Sequence, residues 1–185
     1  MEEPRRRQFD PEDQESPAPV AIRFPDTGAR YSLRIGAEGR GAAGDAFGLA
    51  LPERIGAGAE ADGRRALCVG PEEWMLWAPA EMAGSIEAAF DALYARIPHS
   101  LVEISDREMA IDLEGDAVLD LLAMGCPRDL RTIAVGQGTR TLFDGVPVTL
   151  WRSGPSAFRL ECWRSYLPHV LELLEAGNRE LASGF

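Results

Sequence analysis

Three cysteines and two histidines are the side chains in this sequence with the usual chemistry of nucleophiles and soft metal ligands. Cys126 draws attention first, held in LLAMGCPRDL between Gly125 and Pro127 with Arg128 and Asp129 close behind. A nucleophilic thiol needs its pKa lowered by a cation, a histidine or a helix N-terminus. Here Asp116 opens a short helix carrying Val118, Leu121 and Leu122, so Cys126 falls after a C-terminus, where the dipole disfavours a thiolate. Gly125 suits a left-handed cap and Pro127 blocks continuation, so Cys126 is expected to end a helix. Cys68, Cys126 and Cys162 form no CxxC pair, which argues against zinc and against a disulfide framework and fits a reducing cytoplasm. His99, beside Pro98, and His169, early in the last helix, lack a local carboxylate at a persuasive spacing.

Other chemistries are closed off by composition. Every side-chain cation other than histidine is arginine, so a Walker phosphate loop and a Schiff-base lysine are both absent. A net charge of −11 opposes binding to a nucleic-acid backbone. Gly136-Gln137-Gly138 and the glycines of IGAGAEADG lack the spacing and strand-to-helix setting of a dinucleotide loop, and both read as loops. Glu172 and Glu175 read as the solvated face of a helix. No apolar run approaches the ~20 residues that span a bilayer. Arg5-Arg6-Arg7 leads into acidic, proline-rich QFDPEDQESPAP rather than an export signal. The expectation is a cytoplasmic protein with no nucleic-acid or membrane partner.

The elements that would position any site come from periodicity. Residues 1–19 carry four prolines and little to bury, and are expected to be disordered. Residues 20–185 are expected to form a single α+β domain of two pseudo-repeated halves, about 29–105 and 106–181. Tyr31, Leu33 and Ile35 alternate as a strand, and 38–50 reads as a weak helix. Ala66 to Val69 and Glu73 to Ala78 form a hairpin about Gly70-Pro71-Glu72. Met82, Ile86, Phe90, Leu93 and Ile97 mark a helix over 80–97, followed by strands at 101–104 and 109–113. Strands at 139–143, 146–151 and 157–163 precede a final helix from about 166, with Ser165 as its expected N-cap. VGPEEWML (69–76) echoes SGPSAFRL (153–160), each a Gly-Pro turn leading into a strand. The echo and the repeated element order favour duplicated βαββ-type units.

Strand alternation also sorts the tryptophans. Trp74, Leu76 and Ala78 share one face of their strand and Met75 and Trp77 the other. Trp151 points away from Val146, Val148 and Leu150, and Arg159, Glu161 and Trp163 lie opposite Phe158, Leu160 and Cys162. Trp77, Trp151 and Trp163 thus lie off the most regular apolar stripes. Two readings stand: a sheet covered on both faces by the chain itself, or a partner surface with these three as contact residues.

LVEISDREMAIDLEGDAVLDLLAMGCPRDL, GQGTRTLFDGVPVTLWRSGPSAFRLECWRSYLPHV and VGPEEWMLWAP together resemble the gamma subunit of heterotetrameric sarcosine oxidase over roughly residues 29–175. The resemblance implies an α+β fold like the folate-binding domain of glycine-cleavage aminomethyltransferases, duplicated units with strands exchanged between halves. It implies alpha, beta and delta partner subunits that hold FAD, FMN, NAD, tetrahydrofolate and zinc, with no cofactor, metal or catalytic residue in this chain. The assembly would convert sarcosine to glycine with hydrogen peroxide and methylenetetrahydrofolate. Against the folate enzymes, Val148 and Thr149 stand where paired aspartates follow the glycine turn, and neither supplies a carboxylate. The K-G-C-Y-x-G-Q-E motif of related iron–sulfur-assembly proteins is absent as well. The function expected is therefore a structural assembly subunit. Alternatives are a stand-alone folate-binding protein, the equivalent subunit of an N-methylamino acid dehydrogenase, and a small enzyme using Cys126.

Overall fold

The structure, a computed structural model, describes residues 18–25 and 28–183, so most of the acidic N-terminal stretch lies outside the described residues. Among the described residues, ten strands form two five-stranded antiparallel sheets. One sheet contains β2 (Ala29–Ile35), β3 (Gly58–Ala61), β4 (Arg64–Gly70), β5 (Glu73–Ala78) and β6 (His99–Glu103), in the order β3-β4-β5-β2-β6. The other contains β1 (Ala21–Arg23), β7 (Glu108–Glu114), β8 (Gly138–Phe143), β9 (Val146–Gly154) and β10 (Ala157–Trp163), in the order β8-β9-β10-β7-β1.

The two orders superimpose strand for strand if β1 stands in for β6. In the first sheet β6 follows the second helix of the unit and closes the edge beside β2. In the second sheet that edge belongs to β1, which comes from the start of the chain and pairs Ala21 to Arg23 with Glu114 to Asp112. The strand is thus exchanged between units. Asn178 on the last helix holds it there: Val20 N–H donates to Asn178 Oδ1 at 3.1 Å, and Asn178 Nδ2 donates to the Val20 carbonyl at 2.7 Å.

Each sheet carries helices on one face. α1 (Arg40–Phe47) and α2 (Ala83–Tyr94) pack Phe47, Ile86, Phe90 and Leu93 onto Tyr31, Leu33, Trp74 and Leu76. α3 (Val118–Ala123) and α4 (Leu167–Ala182) pack Leu121, Leu122, Val170 and Leu174 onto Ile111, Leu150, Phe158 and Leu160. Trp74 and Phe158 of the Gly-Pro echo occupy equivalent core positions, one in each unit. The opposite faces of the sheets meet in a third cluster of Leu67, Met75, Trp77, Ile104 and Trp151.

Several local expectations change. The IGAGAEADG segment is not all loop: Gly58–Ala61 is β3, turned into β4 through Asp62 and Gly63, both at positive φ. Two consecutive left-handed residues make the turn whose twist matches a hairpin. Asp144-Gly145 repeats the same device between β8 and β9. Gly125 is not left-handed; a Cβ there would lie 2.8 Å from the Phe143 ring, so close packing explains the glycine. Ser165 does not cap α4, because a 3-10 turn over Arg164–Tyr166 runs directly into the helix, with Pro168 in its first turn. The helix expected over 80–97 is Ala83–Tyr94, preceded by a 3-10 turn at Ala80–Met82.

Candidate functional site: the open end of the seam between the sheets

Side chains that alternate away from the helices face one another across the seam. From the first sheet these are Arg30, Ser32 and Arg34 on β2, Glu73, Met75 and Trp77 on β5, and Arg65 and Leu67 on β4. From the second they are Asp112, Arg159, Glu161, Thr149, Trp151 and their row-mates. At the closed end the Trp77 and Trp151 rings meet edge to face with centroids 6.2 Å apart, and the Arg65 guanidinium lies 4.9 Å over Trp151. Trp77 and Trp151 are enclosed by the chain's own sheets. Of the three candidate contact tryptophans, only Trp163 presents a surface.

Gly58 and Gly138 let this end close. A Cβ on Gly58 would lie 2.2 Å from the Gly136 carbonyl oxygen and 2.3 Å from the Trp151 ring. One on Gly138 would lie 2.4 Å from the Leu150 carbonyl oxygen. With no Cβ in the way, Gly138 N–H donates to the Gly56 carbonyl at 3.0 Å, joining the units through backbone. Gly58 and Gly138 therefore serve close approach, and Gly63 and Gly136 serve positive φ; neither segment leads from a strand into a helix as a dinucleotide loop would.

Beyond the tryptophans lies a buried charge pair. Arg30 and Glu161 each have side chains only 2% exposed, with Nε to Oε2 at 3.3 Å. Trp77 Nε1 donates to the same carboxylate at 2.8 Å. Taking two charges out of water is expensive, and the pair persists because each finds a partner there. Glu161 lies directly opposite Thr149 in register, so the carboxylate facing Thr149 is engaged by a guanidinium and an indole. Val148 points into the helix-side core. Val148 and Thr149 thus present a methyl-bearing wall and a threonine hydroxyl rather than carboxylates.

The seam then opens into a cleft of about 350 Å³ whose floor includes Ser32, Met75, Thr149 and Glu161. Glu108 lines it as well, and burial pushes its carboxyl above the ordinary value, with Glu161 adding to the rise and Arg107 opposing it. At the mouth Arg34 and Arg140 both pair with Glu73, at 3.4 and 2.9 Å, and Arg107 pairs with Glu108 at 3.3 Å. Trp163 stacks on Tyr166 with centroids 6.0 Å apart, and Arg107 sits 5.2 Å over the Trp163 ring.

The remaining chemical candidates lie apart from the cleft. Cys126 is buried after α3, its N–H donating to the Leu122 carbonyl at 2.9 Å and its sulfur 3.8 Å from Thr141 Oγ1. Arg128 donates to Thr139 Oγ1 at 2.8 Å. Asp129 caps the following 3-10 turn by accepting from the Arg131 N–H, and the Arg131 guanidinium holds its carboxyl below the ordinary value. The GCPRDL segment is thereby accounted for by local structure. His99 is packed between Phe90 and Tyr94 with Nδ1 2.8 Å from the Ile97 carbonyl. His169 does have a carboxylate, Asp144 at 3.1 Å, but the pair is on the surface. Cys68 and Cys162 are buried and unpaired, and burial raises both thiols, Cys162 to about 12. Among the described residues no cluster of three or more His, Cys, Asp or Glu side chains is arranged to hold a metal ion, and no helix is long and apolar enough to cross a membrane.

Sequence reasoning placed Glu161 on the correct strand face but missed its role. Arg30 is 131 positions away in the chain, and no local pattern links them. The signal that was available is charged residues at the positions of β2 and β10 opposite their apolar stripes.

Two duplicated antiparallel units with an exchanged edge strand define the class to which the chain belongs, the aminomethyltransferase-like fold. Aminomethyltransferase T of the glycine cleavage system from Bartonella henselae matches it with a TM-score of 0.66 over 85% of this chain and 45% of that one, at 16% identity. A chain of the heterotetrameric sarcosine oxidase from Corynebacterium sp. U-96, solved with pyrrole 2-carboxylate, matches more fully, with a TM-score of 0.78 and 26% identity over 87% of this chain and 84% of that one. Sarcosine oxidase subunit gamma from Corynebacterium sp. strain P-1 is 30% identical over 153 residues, covering 80% of this chain and 73% of the relative. The subunit gamma from an Arthrobacter species is 30% identical over 154 residues, with the same coverage. No protein-family model matches the sequence. The chain belongs to the sarcosine oxidase subunit gamma family.

Proposed function

We propose that the chain is a non-catalytic assembly subunit of a sarcosine oxidase-type complex, packed against larger flavoprotein subunits. The supporting observation is its likeness, over most of both chains, to a subunit of a heterotetrameric sarcosine oxidase. The chemistry of the cleft agrees: Val148 and Thr149, where the resemblance implies paired aspartates, supply no carboxylate, and the adjoining Glu161 is already bound by Arg30 and Trp77. In this reading FAD, FMN, NAD, tetrahydrofolate and zinc reside on the alpha, beta and delta partners, and the complex demethylates sarcosine to glycine. The contribution of this chain is stability of the assembled flavin- and folate-binding parts, in the cytoplasm, with Trp163 as a contact residue.

The test is a pull-down of the C-terminally tagged chain from its native cells at moderate salt, with an absorbance spectrum of the eluate and identification of the co-purifying chains. A yellow eluate with two larger chains and one small one is expected. A colourless chain recovered alone, or saturable tetrahydrofolate binding by it, overturns the assignment.

A further inference from the structure

We infer that the open end of the inter-sheet seam is the face that meets the larger subunit, and that the segment docking there is acidic with an apolar residue beside its carboxylate. The inference rests on the assembly reading above and adds the face and the chemistry of the partner.

Three observations converge. First, cross-strand register aligns Leu142 on β8 with Pro147 on β9, and Trp163 on β10 with Glu108 on β7. Continuing the β9–β10 register one step beyond Cys162 and Val148 brings Trp163 alongside Pro147. Leu142, Pro147 and Trp163 therefore form one apolar row on the seam-facing side of the second sheet. The first sheet does not cover this row, and all three residues are exposed, Trp163 at 43%. Tyr166, stacked on Trp163, extends the strip. Two steps deeper the equivalent row is closed by Trp151 under Trp77, which is how such a row looks once a partner lies on it.

Second, the charges at the mouth are sorted by depth. The side chains of Arg34, Arg107 and Arg140 are 69%, 51% and 44% exposed, whereas those of their partners Glu73 and Glu108 are 19% and 9% exposed. The cations face outward and the carboxylates are recessed. On a chain of net charge −11 this mouth is a cationic rim, and it selects an anionic visitor. Guanidinium N–H groups not used by Glu73 and Glu108 can donate to a carboxylate in a forked arrangement.

Third, the strip and the rim border the same cleft of about 350 Å³. That volume admits side chains rather than a whole element, so the partner is a loop or chain end that lays an apolar residue on Trp163 and Leu142 while its carboxylate meets the rim. Tryptophan and arginine together are the side chains that most often concentrate binding energy at protein contacts.

The experiment co-expresses the remaining subunits with wild-type chain, with Trp163→Ala, with Arg34→Glu/Arg107→Glu, or with Arg96→Glu. Arg96 is an exposed cation just after α2 and serves as control. All substituted positions are exposed, and matched thermal melts of the isolated chains verify folding. Both mouth variants are expected to lower the share of chain recovered in the flavin-containing assembly about tenfold or more, with Arg96→Glu unchanged. Wild-type association is expected to weaken as salt is raised, a readout that needs no variant. Failure of the wild type to assemble overturns the assembly reading itself. A wild type that assembles independently of salt, or mouth variants that assemble as well as Arg96→Glu, overturns the placement alone. Stabilisation of the isolated chain by free succinate or citrate, with association untouched by the mouth substitutions, assigns the cleft to a small anion and likewise overturns it.

Discussion

Glu108 shows how a single side chain couples the cleft to pH. Its carboxyl is pushed above the ordinary value of 4.5 chiefly by burial, with Glu161 as an additional like charge. A raised acid pKa means that the folded state holds its proton more tightly than the unfolded chain. Between the unfolded and folded pKa values, stability contributed by this group therefore falls as pH rises. Glu108→Gln keeps the shape of the neutral acid and removes the titration. Its stability relative to wild type is expected to increase from about pH 5 upward and level off once the folded carboxyl has ionised. Denaturant melts of both proteins across that range check it, and a pH-independent difference would refute it. Glu108 was not visible as a special residue in the sequence. Its neighbour Arg107 is local, but Glu161 and the covering sheet arrive from elsewhere in the chain.

Among the elements, β1 depends on the most distant support. Three residues make a marginal strand, and among the described residues β1 pairs with β7 alone. Asn178 supplies both a donor and an acceptor to Val20, mimicking one more rung of backbone ladder from the side of α4. Replacing it by leucine leaves the buried Val20 amide and carbonyl without these partners, at about 1–3 kcal/mol for an unsatisfied group. Asn178→Leu is expected to lower stability by at least about 1–3 kcal/mol. It should also speed amide exchange at Ala21 to Arg23 more than at β6, its counterpart in the other sheet. Equal acceleration in both edge strands would show that Asn178 supports the core generally rather than the exchanged strand. The strand itself escaped sequence analysis because AIR is too short to display a period. β3 was missed for a different reason. Its Asp62-Gly63 turn is a strong hairpin signal, and the matching Asp144-Gly145 would have strengthened the internal repeat beyond the Gly-Pro echo.

For the molecule as a whole, the decisive feature is that two sheets share a face that is part sealed and part open. The sealed part depends on glycine. Gly138→Ala would place a methyl carbon 2.4 Å from the Leu150 carbonyl oxygen and about 3.0 Å from the Leu67 side chain. Backbone cannot yield cheaply, so a loss of about 1–3 kcal/mol is expected, with increased exposure of Trp77 and Trp151 to a fluorescence quencher before global unfolding. Gly84, where a Cβ meets open space, is the control, and its alanine variant is expected to be neutral or slightly stabilising. Comparable losses at both positions would mean that close approach at the seam is not what Gly138 provides.

By itself the sequence determined the class of fold, the duplicated unit, the family resemblance and the helix-side cores. Each of these rests on patterns spanning a few residues to a few tens, such as the alternation of Tyr31, Leu33 and Ile35 or the spacing of Ile86, Phe90 and Leu93. It also placed Cys126 just past the end of a helix, since a helix end is a local event. Only the tertiary structure decided which tryptophans are available. Trp77, Trp151 and Trp163 look alike in their strands, each on the face opposite a regular apolar stripe. Two are sealed because the other sheet lies over them, and the third is open because that sheet ends short of its row. The Arg30–Glu161 pair, the role of Gly138 and the lodging of β1 in the second sheet have the same origin. All depend on how the two sheets are brought together, a long-range arrangement for which a linear pattern carries no register.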